Sequence, residues 1–207
     1  MKKEELKLLI TISIILSIVV SILYIIVLKK EFNLEESIRA ISFGISTTTI
    51  FWTFFFSIGW KVWGFRKIFY RPNINGTWGG ILKSNWKDKD HKVIGDIEFY
   101  IIIRQSFLSI HFTTFTKSFT GTSYSETFSL QKEKGLKNVA YLYRKETSQE
   151  DDKVLQEGAA ELKLIDSKVR KLQGKYWSNR KTKGKINVCF ISKSTVDSFE
   201  DAKSLKK

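Results

Sequence analysis

Two long apolar runs open the chain, and short alternating runs follow them. Between Leu6 and Leu28 the one charged residue is Lys7; between Ile41 and Trp60 there is none. A helix needs about 20 apolar residues to cross the hydrocarbon core of a bilayer, and each run reaches that length. A lone strand in lipid would leave its backbone groups unpaired. The pattern therefore predicts two transmembrane helices, over about 6–28 and 38–60. The first run is too long for the core of a cleaved signal peptide, and no small-x-small cleavage pattern precedes Glu31. A short turn between the helices makes them an antiparallel hairpin.

After Pro72, the one proline, the pattern changes to short β-branched and aromatic runs with polar breaks. Eight strands are expected: 76–84, 93–104, 107–117, 120–131, 138–147, 159–166, 169–178 and 185–192. Ala160, Leu162 and Leu164 share one face of the sixth; Ile186, Val188 and Phe190 share one face of the eighth. On the fourth, Tyr124, Glu126 and Phe128 do not alternate cleanly. Regular short strands predict a sandwich or barrel, and about eight antiparallel strands can close around one small ligand. The tail from Thr195 to Leu205 predicts a helix, with Val196, Phe199 and Leu205 packing on the barrel or the helix plugging one opening. The organisation is then a hairpin and linker (1–71), a β-barrel (72–194) and a short C-terminal helix or tail (195–207).

Charge orients the hairpin. Lys2, Lys3, Lys7, Lys61, Arg66, Lys67 and Arg71 flank it, against Lys29, Lys30 and Arg39 in and beside the turn. Basic residues favour the cytoplasmic side, so both termini are expected there. Tyr24, Trp60 and Trp63 suit headgroup depth. Small residues recur every four positions: Ser13, Ser17 and Ser21 on the first helix, Ala40, Gly44 and Thr48 on the second. Such stripes let helices approach closely. They serve either to close the hairpin within one chain or to join chains in an oligomer. Neither helix carries a buried acid, which argues against an ion or proton relay.

Net charge is +14, of which +9 falls in residues 72–207. A basic domain beside a membrane suits anionic headgroups or an anionic ligand. The single cysteine, Cys189, excludes an internal disulfide, and with only His91 and His111 no soft-ligand metal site is expected. No Ser–His–Asp, Cys–His, phosphate-loop or HExxH pattern is present, so no catalytic residue is assigned and no enzyme is expected. Asp96, Glu98, Glu126 and Glu161 fall where alternation could place them outside.

Two segments stand out. Asn75-Gly76-Thr77-Trp78 leads into the first strand and is similar to the Gly-x-Trp of lipocalins, where the Trp closes one barrel end. The segment from Leu172 to Lys185 combines Tyr176 and Trp177 with Arg180, Lys181, Lys183 and Lys185. Arg grips phosphate with paired hydrogen bonds and aromatics stack on bases, so it could hold a small nucleotide. Composition alone favours a basic turn left in solvent or against headgroups, since charge runs are usually solvated faces.

Across nearly its full length the chain resembles the two-transmembrane, β-strand-rich effectors of bacterial CBASS antiphage systems, the CD-NTase-associated two-helix β-barrel proteins. That resemblance implies a lipocalin-like barrel binding a cyclic di- or trinucleotide made by a partner CD-NTase. The nucleotide is an activating ligand, and no cofactor is implied. The chain would then assemble into a homo-oligomer through its helices in the inner membrane, disrupt the bilayer and abort infection. No DNA or RNA polymer is implied as a partner. Chemistry, rather than a positional match, selects the site. Trp78 and Tyr176 are the expected stacking or cavity residues, Arg180 and Thr182 the phosphate contacts, and Tyr141, Tyr143 and Arg104 further candidates. A membrane-anchored carrier of an apolar ligand would instead have an apolar lining. An envelope interaction module would have a filled barrel and a solvated basic patch.

Overall fold

The computed structural model describes residues 3–62, 69, 71–86, 95–131, 133–147 and 156–206, with the side chains of 3, 4, 146 and 147 excepted. Two compact units emerge, one centred on the helices and one on the strands. Trp63, Arg66, Lys67 and His91 lie outside the described residues.

In the first unit, α1 (Lys3–Val27) and α2 (Leu34–Ser57) are each long and apolar enough to cross a membrane. Both start and end earlier in the chain than the apolar runs suggest. Asn33 caps α2 by accepting from the Glu36 amide at 2.9 Å, and Arg39 binds Glu35 and Glu36 from the next turn. These polar contacts extend the helix four residues ahead of its apolar part. Lys29 turns the chain with a φ of 50°.

The two small-residue stripes face each other inside this hairpin. Ser17 Oγ and Thr48 Oγ1 share a hydrogen bond at 2.9 Å, and Trp52 Nε1 donates to Ser13 Oγ at 2.8 Å. A Cβ at Gly44 would lie 2.6 Å from the Ser17 carbonyl oxygen, so only glycine permits this approach. Ile14, Ile15, Ile18 and Ile22 are exposed on α1. Trp60, expected at headgroup depth, is 1% exposed in an aromatic cluster with Phe51, Trp52, Phe55 and Phe56.

The second unit is a closed antiparallel barrel in which each strand pairs with its sequence neighbours and β8 returns to β1. The strands are β1 (Gly76–Ser84), β2 (Ile97–Gln105), β3 (Ile110–Phe115), β4 (Phe119–Gln131), β5 (Leu136–Thr147), β6 (Gln156–Ile165), β7 (Lys171–Ser178) and β8 (Lys183–Ser192). β3 starts later than expected because Ser106 Oγ accepts from the Leu108 amide and draws Phe107 and Leu108 into a turn. The uneven alternation of β4 has a cause. A bulge between Ser123 and Ser125 opposes Tyr143 and Leu142 and reverses the phase. Glu126 consequently turns inward, its side chain 12% exposed, bonded to Ser123 and His111; it is not on the outer face.

Alternating residues of every strand fill one end of the barrel. Trp78 is wholly buried there, donates to the Ile74 carbonyl at 2.9 Å, and meets the Phe190 ring edge-on. Gln105 ties the lead-in segment down, donating to the Pro72 carbonyl and accepting from the Ile74 amide. Arg170 covers the same end, its guanidinium 5.4 Å from the Trp78 ring. The C-terminal helix, α3 (Phe199–Ser204), is shorter than expected because Ser198 caps it, accepting from the Asp201 amide at 3.0 Å. It plugs no opening: Val196, Phe199 and Ala202 pack on the outer wall against Tyr100, Ile102 and Phe115.

Candidate functional site

At the other end the barrel interior is not filled. A cavity of about 300 Å³ lies among the C-terminal ends of β1, β3, β5 and β7 and the turns beyond them. Tyr141 lines its base, its ring stacked on the buried Phe112 ring at 4.4 Å and nearly parallel to it. Leu82, Ile97, Phe99 and Ile186 supply apolar wall.

Three tyrosines face this space. Tyr141 and Tyr143 are two residues apart on β5, with ring centroids 6.0 Å apart. Tyr176 comes from β7, and its hydroxyl donates to Ser84 Oγ at 2.6 Å. Two glycines make room for them. A Cβ at Gly158 would fall 2.5 Å from the Tyr143 hydroxyl, and one at Gly184 would fall 2.7 Å from the Tyr176 ring. Burial raises all three phenols above their ordinary pKa, so they stay protonated and can donate hydrogen bonds.

Two cations sit higher. Lys145 continues the face of Tyr141 and Tyr143, and its Nζ lies 3.9 Å from the Phe119 ring centroid. Burial, and then the nearby Arg180 charge, lower its pKa to about 8. Arg180 belongs to the β7–β8 turn. That turn is fixed by the Ser178 amide donating to the Thr182 carbonyl at 2.9 Å and by Lys181 in the left-handed region. Asn179 ties it to β6 by donating to the Glu157 carbonyl at 2.9 Å. Thr182 Oγ1 also lines the cavity, sharing a hydrogen bond with Ser178 Oγ at 2.6 Å.

Five of the seven expected binding residues thus meet around one cavity: Tyr141, Tyr143, Tyr176, Arg180 and Thr182. Trp78 does not join them, because it plugs the filled end. Nor does Arg104, whose strand parity turns it to the outer wall, where it pairs with Asp197. Lys145 and Phe119 were missed. Lys145 was legible as the third member of Tyr141-x-Tyr143-x-Lys145, since every second residue of a strand shares a face.

The lining contains no carboxylate among the described residues. Aromatic planes lie below and two cations above. Such an arrangement suits a ligand with a flat apolar part and an anionic part. No group of three or more His, Cys, Asp or Glu that could hold a metal occurs among the described residues.

Residues 69–189 match the family described as "Cap15, cyclic dinucleotide receptor domain". The chain belongs to the Cap15 family. The Cap15 match covers nearly the whole barrel, and its domain is a receptor domain rather than a catalytic one. The chain is also similar to "CD-NTase-associated protein 15" of Escherichia albertii, 29% identical over 174 residues, covering 82% of this chain and 84% of that one. That similarity reaches beyond the receptor domain into the helical hairpin. The chain therefore combines a Cap15 barrel with two helices long enough to lie in a membrane.

Proposed function

We propose that the barrel cavity binds a cyclic dinucleotide, with a base against Tyr143 and Tyr176 and a phosphate between Lys145 and Arg180. The observation that carries this reading is the cavity itself: three protonated tyrosines, two cations and no carboxylate among the described lining. Charge-assisted hydrogen bonds to phosphate are the strong ones, and arginine offers them in pairs. Base stacking on aromatic rings is worth about 1–3 kcal/mol per base. A carrier of an apolar ligand would not place two cations at the mouth, and a module with a filled barrel would have no such space.

In this reading the ligand is made by a partner CD-NTase, and the chain acts in the inner membrane with both termini cytoplasmic. Occupancy must favour an assembled state over the single chain, because a ligand that binds both equally shifts nothing. Ser13, Ser17, Ser21, Ala40, Gly44 and Thr48 hold the hairpin within one chain. We propose that the same close packing re-forms between chains on assembly and disrupts the bilayer.

The test is calorimetric titration of the full chain in lipid nanodiscs with a panel of cyclic dinucleotides. Saturable binding that Arg180→Ala weakens is the expected result. Absence of binding across the panel would remove the reading.

A further inference from the structure

A second recess adjoins the cavity at its mouth. Its volume is about 320 Å³, and it shares Ile97 and Ser118 with the first. Its other walls are Glu98 on β2, Thr116 and Lys117 in the β3–β4 turn, and Phe199, Glu200 and Lys203 on α3.

The barrel cavity is small for a cyclic dinucleotide. Sites enclosing a drug-sized ligand run about 300–1,000 Å³. A molecule with two bases, two riboses and two phosphates needs well above the lower end of that range. The cavity, at about 300 Å³, accommodates one nucleotide. The other would extend past the mouth, toward the recess that shares Ile97 and Ser118 with the cavity.

The chemistry of the recess suits a nucleotide. Lys117 supplies positive charge, Lys203 is paired with Glu98, and Phe199 supplies a ring. Glu98 is already committed. It accepts from the Tyr100 hydroxyl at 2.7 Å and faces Lys203 and Lys206 at 3.7 and 3.8 Å, contacts that hold its pKa below the usual value. Glu200 differs: among the described residues its carboxylate makes no hydrogen bond or ion pair. A carboxylate accepts two parallel hydrogen bonds where two N–H donors stand side by side. Guanine presents such an edge, a ring N–H beside its exocyclic amine. Adenine and uracil each place an acceptor next to their donor.

We propose that this recess is the second-base subsite of the receptor and that it selects guanine through Glu200. The proposal rests on the cavity being a cyclic dinucleotide site. It makes the two halves of the ligand inequivalent, one in the barrel and one beside α3.

The experiment is titration of the full chain in nanodiscs with cyclic di-GMP, cyclic GMP-AMP, cyclic di-AMP and cyclic di-UMP. The wild type is expected to bind the guanine ligands most tightly. Glu200→Gln should cost them about tenfold, the scale of one charge-assisted hydrogen bond, and leave cyclic di-AMP unchanged. Lys117→Glu should weaken every ligand of the panel. If both variants bind as the wild type does while Lys145→Met loses affinity, the recess is no subsite and the barrel remains the receptor. Equal wild-type affinity for guanine and adenine ligands would overturn the selection by Glu200. If the wild type binds none of the four, the receptor reading falls and the subsite with it.

Discussion

Lys145 is the residue whose chemistry is most open to measurement. Its pKa is about 8 in the fold, against 10.5 for an ordinary lysine. Between these values the unfolded chain holds a proton that the native state has lost. Stability therefore rises with pH from about 8 to 10.5, and below 8 this residue adds no pH dependence. Phosphate favours the charged form, so binding has the opposite slope. Ligand affinity is expected to fall as pH rises through 8, with proton uptake on binding near that pH. Calorimetry in buffers of different ionisation enthalpy reads the uptake, and Lys145→Met should abolish it. Arg180→Ala should raise Kd by about 10–100-fold, the scale of a lost hydrogen bond to a charged group. Unchanged affinity would take Arg180 out of the site. The sequence revealed residue types better than directions. Tyr176, Arg180 and Thr182 were legible because they sit beside a turn whose chemistry is local. Arg104 was misplaced because its direction depends on the parity of β2, and the aligned partner, Asp197, lies 93 residues away.

Among the elements, the strands were legible from alternation, and their ends were not. Side-chain hydrogen bonds set the start of β3 at Ser106 and the starts of α2 and α3 at Asn33 and Ser198, and hydrophobic periodicity does not report them. The bulge in β4 left a trace as broken alternation, but its inward Glu126 follows only once pairing with β5 is known. The hairpin makes its own prediction. Gly44→Leu places a side chain against the Ser17 carbonyl and must separate α1 from α2. Cells carrying it alongside an active nucleotidyltransferase are expected to survive, while the purified variant still binds nucleotide. Retained toxicity would show that these stripes have no part in assembly. At the filled end, Trp78→Ala removes a wholly buried ring and should cost about 3–5 kcal/mol, read by thermal or denaturant unfolding.

For the whole molecule, a ligand that binds only the folded barrel stabilises it by mass action. At 100 times its Kd the gain is about 2.7 kcal/mol, and a thermal shift confined to particular cyclic dinucleotides is the expected signature. The two-part organisation was plain in the sequence, because an apolar run of helical length and a strand alternation are different periodicities. What stayed hidden was which end of the barrel is filled. That depends on which large residues, such as Trp78, Phe128 and Phe190, converge from distant strands. The glycines that admit Tyr143 and Tyr176 were hidden for the same reason.

The packed core that fills one end of the barrel, Trp78 among it, makes the cavity at the other end a cul-de-sac. A nucleotide leaves by the doorway through which it came, and nothing threads the barrel from end to end. Escape is then governed by the rim, where Lys145 and Arg180 stand. If these two hold the ligand as proposed, strengthening them is expected to lengthen its residence and loosening them to shorten it. On the proposed reading, the barrel sets how long the signal is held and is not itself a passage.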